Sequence, residues 1–286
     1  MKKQLFVTTF CSLLLAGYGC SSPQANDAVQ DLTQYVDPYI GSGGHGHVFV
    51  GANVPYGLVQ LGPSSIPQEW DWTSGYHISD STVIGFPHMH LSGTGIGDLH
   101  DITLMPVVGE VTYARGVESD QTSGLWSYSD RSKEVVKPGY YATHLLRYDV
   151  DVELTATKRV GFHKYTFNQK ENAAVVFDLQ NGGCWDSPTK AYINKVDDKT
   201  IEGYRYSSGW ANDQRVFFVA EFSEPITSLD VIVDRGEAVA DKGEGKIVYA
   251  RANVDAQKPV YVKVALSPTS IENAKLNMQT ELPGWD

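Results

Sequence analysis

An all-β fold, built as a large antiparallel β-sandwich, is predicted by three features of the sequence. After Thr33 no long stretch carries apolar residues at helical spacing, period-two alternation recurs, and the alternating segments are bounded by Gly, Pro, Asn and Asp. Many short strands joined by turns pack as facing antiparallel sheets. A chain of 286 residues suits one large β domain or two small ones.

In chain order, Met1-Lys2-Lys3-Gln4, the apolar run Leu5 to Gly17 and Tyr18-Gly19-Cys20-Ser21-Ser22 have the order of a secretory signal. The run is too short to span a bilayer as a helix. Cys20 stands where a bacterial lipoprotein is lipidated after cleavage; plain signal-peptidase cleavage is the alternative. Residues 1–20 are therefore expected to be a lipoprotein-type signal peptide, 21–33 a polar tether and 34–286 the folded domain. Export to the periplasm or cell surface, anchored by lipid to the outer membrane, is the expected location.

The clearest strand runs through Tyr148, Val150, Val152 and Leu154, with Asp149, Asp151 and Glu153 on the opposite, solvated face. Further strands are predicted at Ile102 to Met105, Val107 to Tyr113, Val160 to Phe167, Ala174 to Leu179, Arg215 to Phe222 and Val260 to Leu266, several as continuous apolar runs.

Cys11 lies in the signal and Cys20 would be capped, so Cys184 has no partner and no disulfide framework is expected. A formal net charge of −11 with no basic run argues against nucleic acid as a partner. Sixteen Tyr and six Trp suit either a core or a platform for sugar rings, and composition alone favours the core, where aromatics are most often buried.

Gly41 to Gly97 is dense in glycine and poor in charge, the composition of loops that serve a site, and the Gly-, His- and Trp-rich stretch from Gly41 to Asp101 is the expected functional surface. His45 and His47, and again His88 and His90, are spaced so that on extended strands each pair could share a zinc ion; histidines that fix loops or meet substrate are the other reading. Asp98, His100 and Asp101 follow Gly93-Thr94-Gly95-Ile96-Gly97. Paired carboxylates beside aromatics suit glycoside hydrolysis, and turn-capping aspartates are the alternative. As a strand, Trp70 to His77 would carry Trp70, Trp72 and Ser74 on one face.

The motifs Tyr35-Val36-Asp37-Pro38-Tyr39-Ile40-Gly41, Gly51-Ala52-Asn53-Val54-Pro55-Tyr56-Gly57, Ser74-Gly75-Tyr76-His77 and Gly85-Phe86-Pro87-His88-Met89-His90-Leu91-Ser92-Gly93-Thr94-Gly95 resemble the front of glycoside hydrolase family 92. Pro138-Gly139-Tyr140-Tyr141, Glu153 to Thr157, Arg159-Val160-Gly161 and Gly209-Trp210-Ala211 continue the likeness. The chain departs from the family pattern at His88, Met89 and Ile78.

That family comprises calcium-dependent, inverting exo-α-mannosidases that pair an N-terminal sandwich, of the galactose-mutarotase-like supersandwich type, with a larger helical barrel. The resemblance implies that the catalytic carboxylates and the calcium ligands lie in the C-terminal helical domain, leaving no catalytic or metal residue in this chain and little activity for it alone. It implies a mannose-terminated glycan, of N-glycan or mannan type and of α-1,2 linkage, as substrate. The substrate-facing candidates are Trp72 first, then Trp70, Tyr76, His88 and His90. Two other readings are a stand-alone carbohydrate-binding module and a glycine-rich face that only buries against the barrel.

Overall fold

The computed structural model describes residues 31–180 and 185–285, of which Thr33 onward forms one compact unit. The expected signal, Cys20, most of the tether and Cys184 lie outside the described residues. Among the described residues no helix is long and apolar enough to cross a membrane.

Two antiparallel sheets carry the fold. The larger has nine strands in the order Lys242–Gly245, Ser187–Lys195, Thr200–Ser208, Gln214–Phe222, Val260–Ser267, Val160–Phe167, Val150–Ala156, Tyr140–Leu145 and Val135–Lys137. The smaller runs Ala238–Ala240, Ile226–Val233, Val248–Val254, Ala173–Asp178 and Thr103–Val108. They face each other across one core, where Phe177 of the small sheet meets Phe218 and Phe222 of the large one with ring centroids 5.9 and 6.2 Å apart. The all-β sandwich is as the alternation predicts.

Period-two reasoning works where a strand has one wet face. Val150, Val152 and Leu154 are buried, while Asp151 and Glu153 look outward and find partners in His144, Lys164 and Tyr140. Asp149 has φ +51°, so the strand starts one residue after it.

Three elements differ from expectation. Thr103–Val108 is one strand through Pro106, tolerated because the strand is the sheet edge, and it ends at Gly109 (φ +77°) rather than at Tyr113. Trp70–Trp72 is a 3-10 turn, not a strand, closed by Thr73 N–H to Trp70 O at 3.2 Å and Gly75 N–H to Trp72 O at 2.9 Å. Finally, Ile271–Glu281 is an α-helix. It buries only Ala274 and Met278, packed on Val160, Val219 and Ala265, so its apolar stripe is too thin to register as a period. Its readable signal is the cap, where Ser270 Oγ accepts the Asn273 N–H at 3.1 Å.

Candidate functional site

Loops spanning residues 41–101 form the candidate surface, and their tryptophans are held by backbone and carboxylates. Trp70 Nε1 donates to Gly95 O at 3.0 Å, and the residue is 52% exposed. Gly95 is needed for this approach: it has φ +66°, and a Cβ there would lie 2.8 Å from Trp70 Nε1. Trp72 is more enclosed. Its Nε1 donates to Asp80 Oδ2 at 2.7 Å and its ring stacks on His77 at 4.3 Å.

Neither histidine pair shares a side of a strand. His45 lies in a 3-10 turn and His47 has φ +53°. His45 Nδ1 and Asp71 Oδ1 are 2.6 Å apart, and the nearby carboxylate of Asp71 is held below its usual range by that bond. His47 Nε2 lies 3.5 Å from the same oxygen, within ion-pair reach but without hydrogen-bond geometry. His90 stacks on Phe49 and bonds Gln60 O through Nδ1 at 2.8 Å. Among the described residues no group of three His, Cys, Asp or Glu side chains is arranged to hold a metal.

His88 belongs to a buried chain whose tautomers follow from its ends. Ile102 O, 2.6 Å away, can only accept, so His88 Nδ1 carries the proton. The neutral ring then offers a bare Nε2, and His163 Nε2, at 2.9 Å, must donate to it. His163 Nδ1 in turn accepts from Tyr165 O–H at 2.8 Å. All three side chains are fully buried, and burial holds both imidazoles neutral by pushing them down, His88 to about 4.

Tyr76 is likewise interior. Glu134 accepts from the hydroxyls of Tyr39 at 2.9 Å, Tyr76 at 2.8 Å and Tyr141 at 3.3 Å, and pairs with Arg131 at 2.7 Å. Arg131 also donates to Tyr76 Oη and Asp80 O. Burial, then Glu134, pushes the Tyr39 and Tyr76 hydroxyls far above the ordinary phenol range. Tyr76 and His88, expected beside substrate, thus lie beneath the loops because their polar atoms bind the scaffold. The hub also joins the loops to the strand Tyr140–Leu145. Glu134→Ala is expected to cost about 3 kcal/mol, since three hydroxyls and a guanidinium lose their acceptor. Urea unfolding checks it; a loss below about 1 kcal/mol would show the hub to be dispensable.

Both aspartates bond distant partners rather than their own turn. Asp101 does not cap its own turn; it lies at zero exposure with Arg205 Nη1 at 2.6 Å and Gln214 Nε2 at 2.6 Å, and the same guanidinium holds Asp186 twice at 2.9 Å. Burial pushes Asp101 upward and Arg205 opposes it, while the two carboxylates hold the guanidinium charged. With both oxygens engaged, Asp101 is an anchor. Asp98 Oδ2 accepts the Trp210 N–H at 2.6 Å, its Oδ1 has no partner among the described residues, and burial raises it.

A scaffold that presents tryptophans from loops on a sandwich fits a glycan-handling domain, and comparison with known proteins decides the family. Residues 35–267 match the family model described as Glycosyl hydrolase family 92 N-terminal domain. The chain belongs to glycosyl hydrolase family 92.

This family 92 domain is 33% identical to a family α-mannosidase of Bacteroides thetaiotaomicron solved with mannoimidazole, with a TM-score of 0.84 over 90% of this chain and 35% of that one. An inverting family 92 mannosidase of the same organism shares the fold at 21% identity and a TM-score of 0.70, over 87% of this chain and 33% of the other. A protein of Arthroderma benhamiae described as an uncharacterized secreted glycosidase is 24% identical over 90% of this chain and 36% of its own length. The chain spans about a third of the length of the relatives it matches.

Sequence reasoning missed Trp185 and passed over Trp210 as a site residue, although both are exposed beside the same loops of this family 92 domain. For Trp210 a signal existed: a tryptophan flanked by Gly209 and Ala211, between two strands, is a loop aromatic with no core to join.

Proposed function

We propose that this family 92 domain is one wall of the substrate pocket of an exported exo-α-mannosidase that inverts at the anomeric carbon and acts on α-1,2-linked mannose of N-glycans or mannan. A helical C-terminal domain supplies the general acid, the general base and the calcium ligands, and this domain alone turns over little substrate. In the inverting reaction one carboxylic acid protonates the leaving oxygen while a carboxylate activates a water on the opposite face. This chain's part is to bind and orient the terminal sugar and to exclude water from it. Calcium is assigned to the helical domain, where it would polarise and help distort the sugar. Export follows the signal-like start, and lipidation at Cys20 would tether the enzyme to the outer membrane.

The observation that carries the reading is the match of nearly the whole chain to about a third of a family α-mannosidase at 33% identity. Trp70 and Trp72 are the aromatic contacts, and Trp70 has the freer face. His90, buried and bonded to Gln60 O through Nδ1, supports the loops from below.

The test is to express the chain together with the coding sequence downstream of Asp286 and assay an aryl α-mannoside. Turnover by the longer product and none by this chain alone is expected; turnover by this chain alone, or a downstream sequence unrelated to a helical domain, overturns the reading, the latter in favour of a binding module. In the longer product Trp70→Ala is expected to raise KM about tenfold with kcat changed less, as loss of an aromatic contact made equally in ground and transition states. An unchanged KM would remove Trp70 from the sugar.

A further inference from the structure

Three tryptophans of this domain are tied to one short loop. Trp70 Nε1 donates to Gly95 O, Trp185 N–H donates to Gly97 O at 3.2 Å, and Trp210 N–H donates to Asp98 Oδ2. Gly95 and Asp98 are three residues apart, so the anchors lie within about 10 Å of one another along the backbone. All three residues keep half or more of their surface, at 52, 50 and 68% for Trp70, Trp185 and Trp210.

That exposure is unlike the other aromatic cluster on the surface. Tyr204 stacks on Tyr206 at 4.7 Å and on Tyr192 at 5.3 Å, with Lys190 and Arg215 over the Tyr204 and Tyr206 rings, so those faces are already used. The faces of Trp185 and Trp210 have no such ring partner among the described residues.

The same loop carries an unfinished carboxylate, bonded by the Trp210 N–H. Asp98 is only 4% exposed, and one of its oxygens, Oδ1, has no hydrogen-bond partner among the described residues. A buried carboxylate oxygen left unpaired is costly and calls for a donor. The approach is enforced from the opposite loop, because a Cβ on Gly209 would sit 2.5 Å from Asp98 Oδ2. Leu99, next in sequence, holds a left-handed φ of +71°, a conformation that a branched side chain adopts only under constraint.

We propose that Asp98, Trp185 and Trp210 form a sugar subsite in which Asp98 Oδ1 accepts a hydroxyl of a neutral hexopyranose whose C–H face lies on an indole. The occupant is neutral because Asp101 and Asp186, clustered on Arg205 beside this loop, disfavour an anion. A metal cation is disfavoured because among the described residues no three carboxylate or imidazole side chains are arranged to hold one. A carboxylate accepting from a hydroxyl fixes the orientation of the ring, and the indole supplies contact area. The subsite rests on the reading of this domain as a wall for glycan, and it assigns residues beyond the Trp70 to Tyr76 segment.

Six tryptophans make the test direct. Indole N–H resonances of the chain are followed by NMR during titration with methyl α-mannoside, and separately with calcium chloride alone. Trp185 and Trp210 are expected to shift saturably with sugar, while the fully buried Trp126 stays fixed. Asp98→Asn should weaken binding about tenfold or more, the loss of a hydrogen bond to a charged acceptor. Should Asp98→Asn unfold, Trp210→Ala keeps the backbone N–H that Asp98 needs and is expected to lose binding to the same extent. Movement of Trp70 or Trp72 alone, with Trp185 and Trp210 still, overturns the subsite but leaves the wider reading intact. Silence of all six indoles, or a response to calcium without sugar, also overturns it. The wider reading fails separately, through absence of turnover by the longer product.

Discussion

Arg205→Met is expected to destabilise the domain by about 3–5 kcal/mol, because it leaves Asp101 and Asp186 buried without their counter-charge. The guanidinium has zero exposure and uses every edge: Nη1 on Asp101, Nη1 and Nη2 on Asp186, and Nε on Leu179 O at 3.0 Å. Breaking one partner of a buried pair costs far more than removing the pair, since a stranded charge is what the interior rejects. The triple variant Arg205→Met, Asp101→Asn, Asp186→Asn should therefore recover most of the loss. Urea unfolding of the two variants measures both numbers. A single variant within 1 kcal/mol of wild type, or a triple variant no better than the single, would show that the cluster is not a charged unit. The same change should loosen the loop at Gly97 and Asp98, because Asp101 and Asp186 stand at its two flanks.

Stability should also fall steeply with acid. Burial pushes His88 and His90 down to about 4 from 6.5, against carbonyl bonds that favour their charged forms, and pushes His100 and His163 well below 6.5. A histidine depressed in the folded state binds its proton more readily when unfolded, so its contribution is complete above pH 6.5 and is lost as pH falls toward 4. For His88 and His90 the difference is roughly 3 kcal/mol each. Protonation of His88 would also set two N–H groups against each other across its 2.9 Å contact with His163. Asp98 and Asp101, raised by burial, work in the opposite sense, as two groups against four. Urea midpoints between pH 7.5 and 4.5 should drop with the steepest slope below pH 6.5; a flat profile from 7 to 5 would mean that these rings are not held neutral. His163→Phe should make the profile shallower.

Much of the fold could be read from local pattern. Val150, Val152 and Leu154 face the core because alternation along one strand is a property of that strand alone. Val160–Phe167 and Val260–Ser267 stand where β-branched and aromatic runs place them. The helix Ile271–Glu281 was illegible by period because two buried side chains make no stripe, and the Trp70–Trp72 turn because alternating Trp and Asp reads equally as strand. Pro106 broke a strand in the sequence but not in the sheet, since its missing N–H falls on the open edge.

The site was legible as a region and illegible as an arrangement. The glycine-rich stretch, its motifs and the family they resemble were decided by the sequence alone, because backbone freedom and hydrophobic alternation act over a few residues. Only the tertiary structure decided that Tyr76 and His88 turn inward, that Asp101 spends both oxygens on Arg205 and Gln214, and that Trp70, Trp185 and Trp210 are tied to Gly95, Gly97 and Asp98 of one loop. Those outcomes depend on partners dozens to more than a hundred residues away, as Asp98 and Trp210 are. Burial and pairing between distant groups leave no period in the chain that carries them.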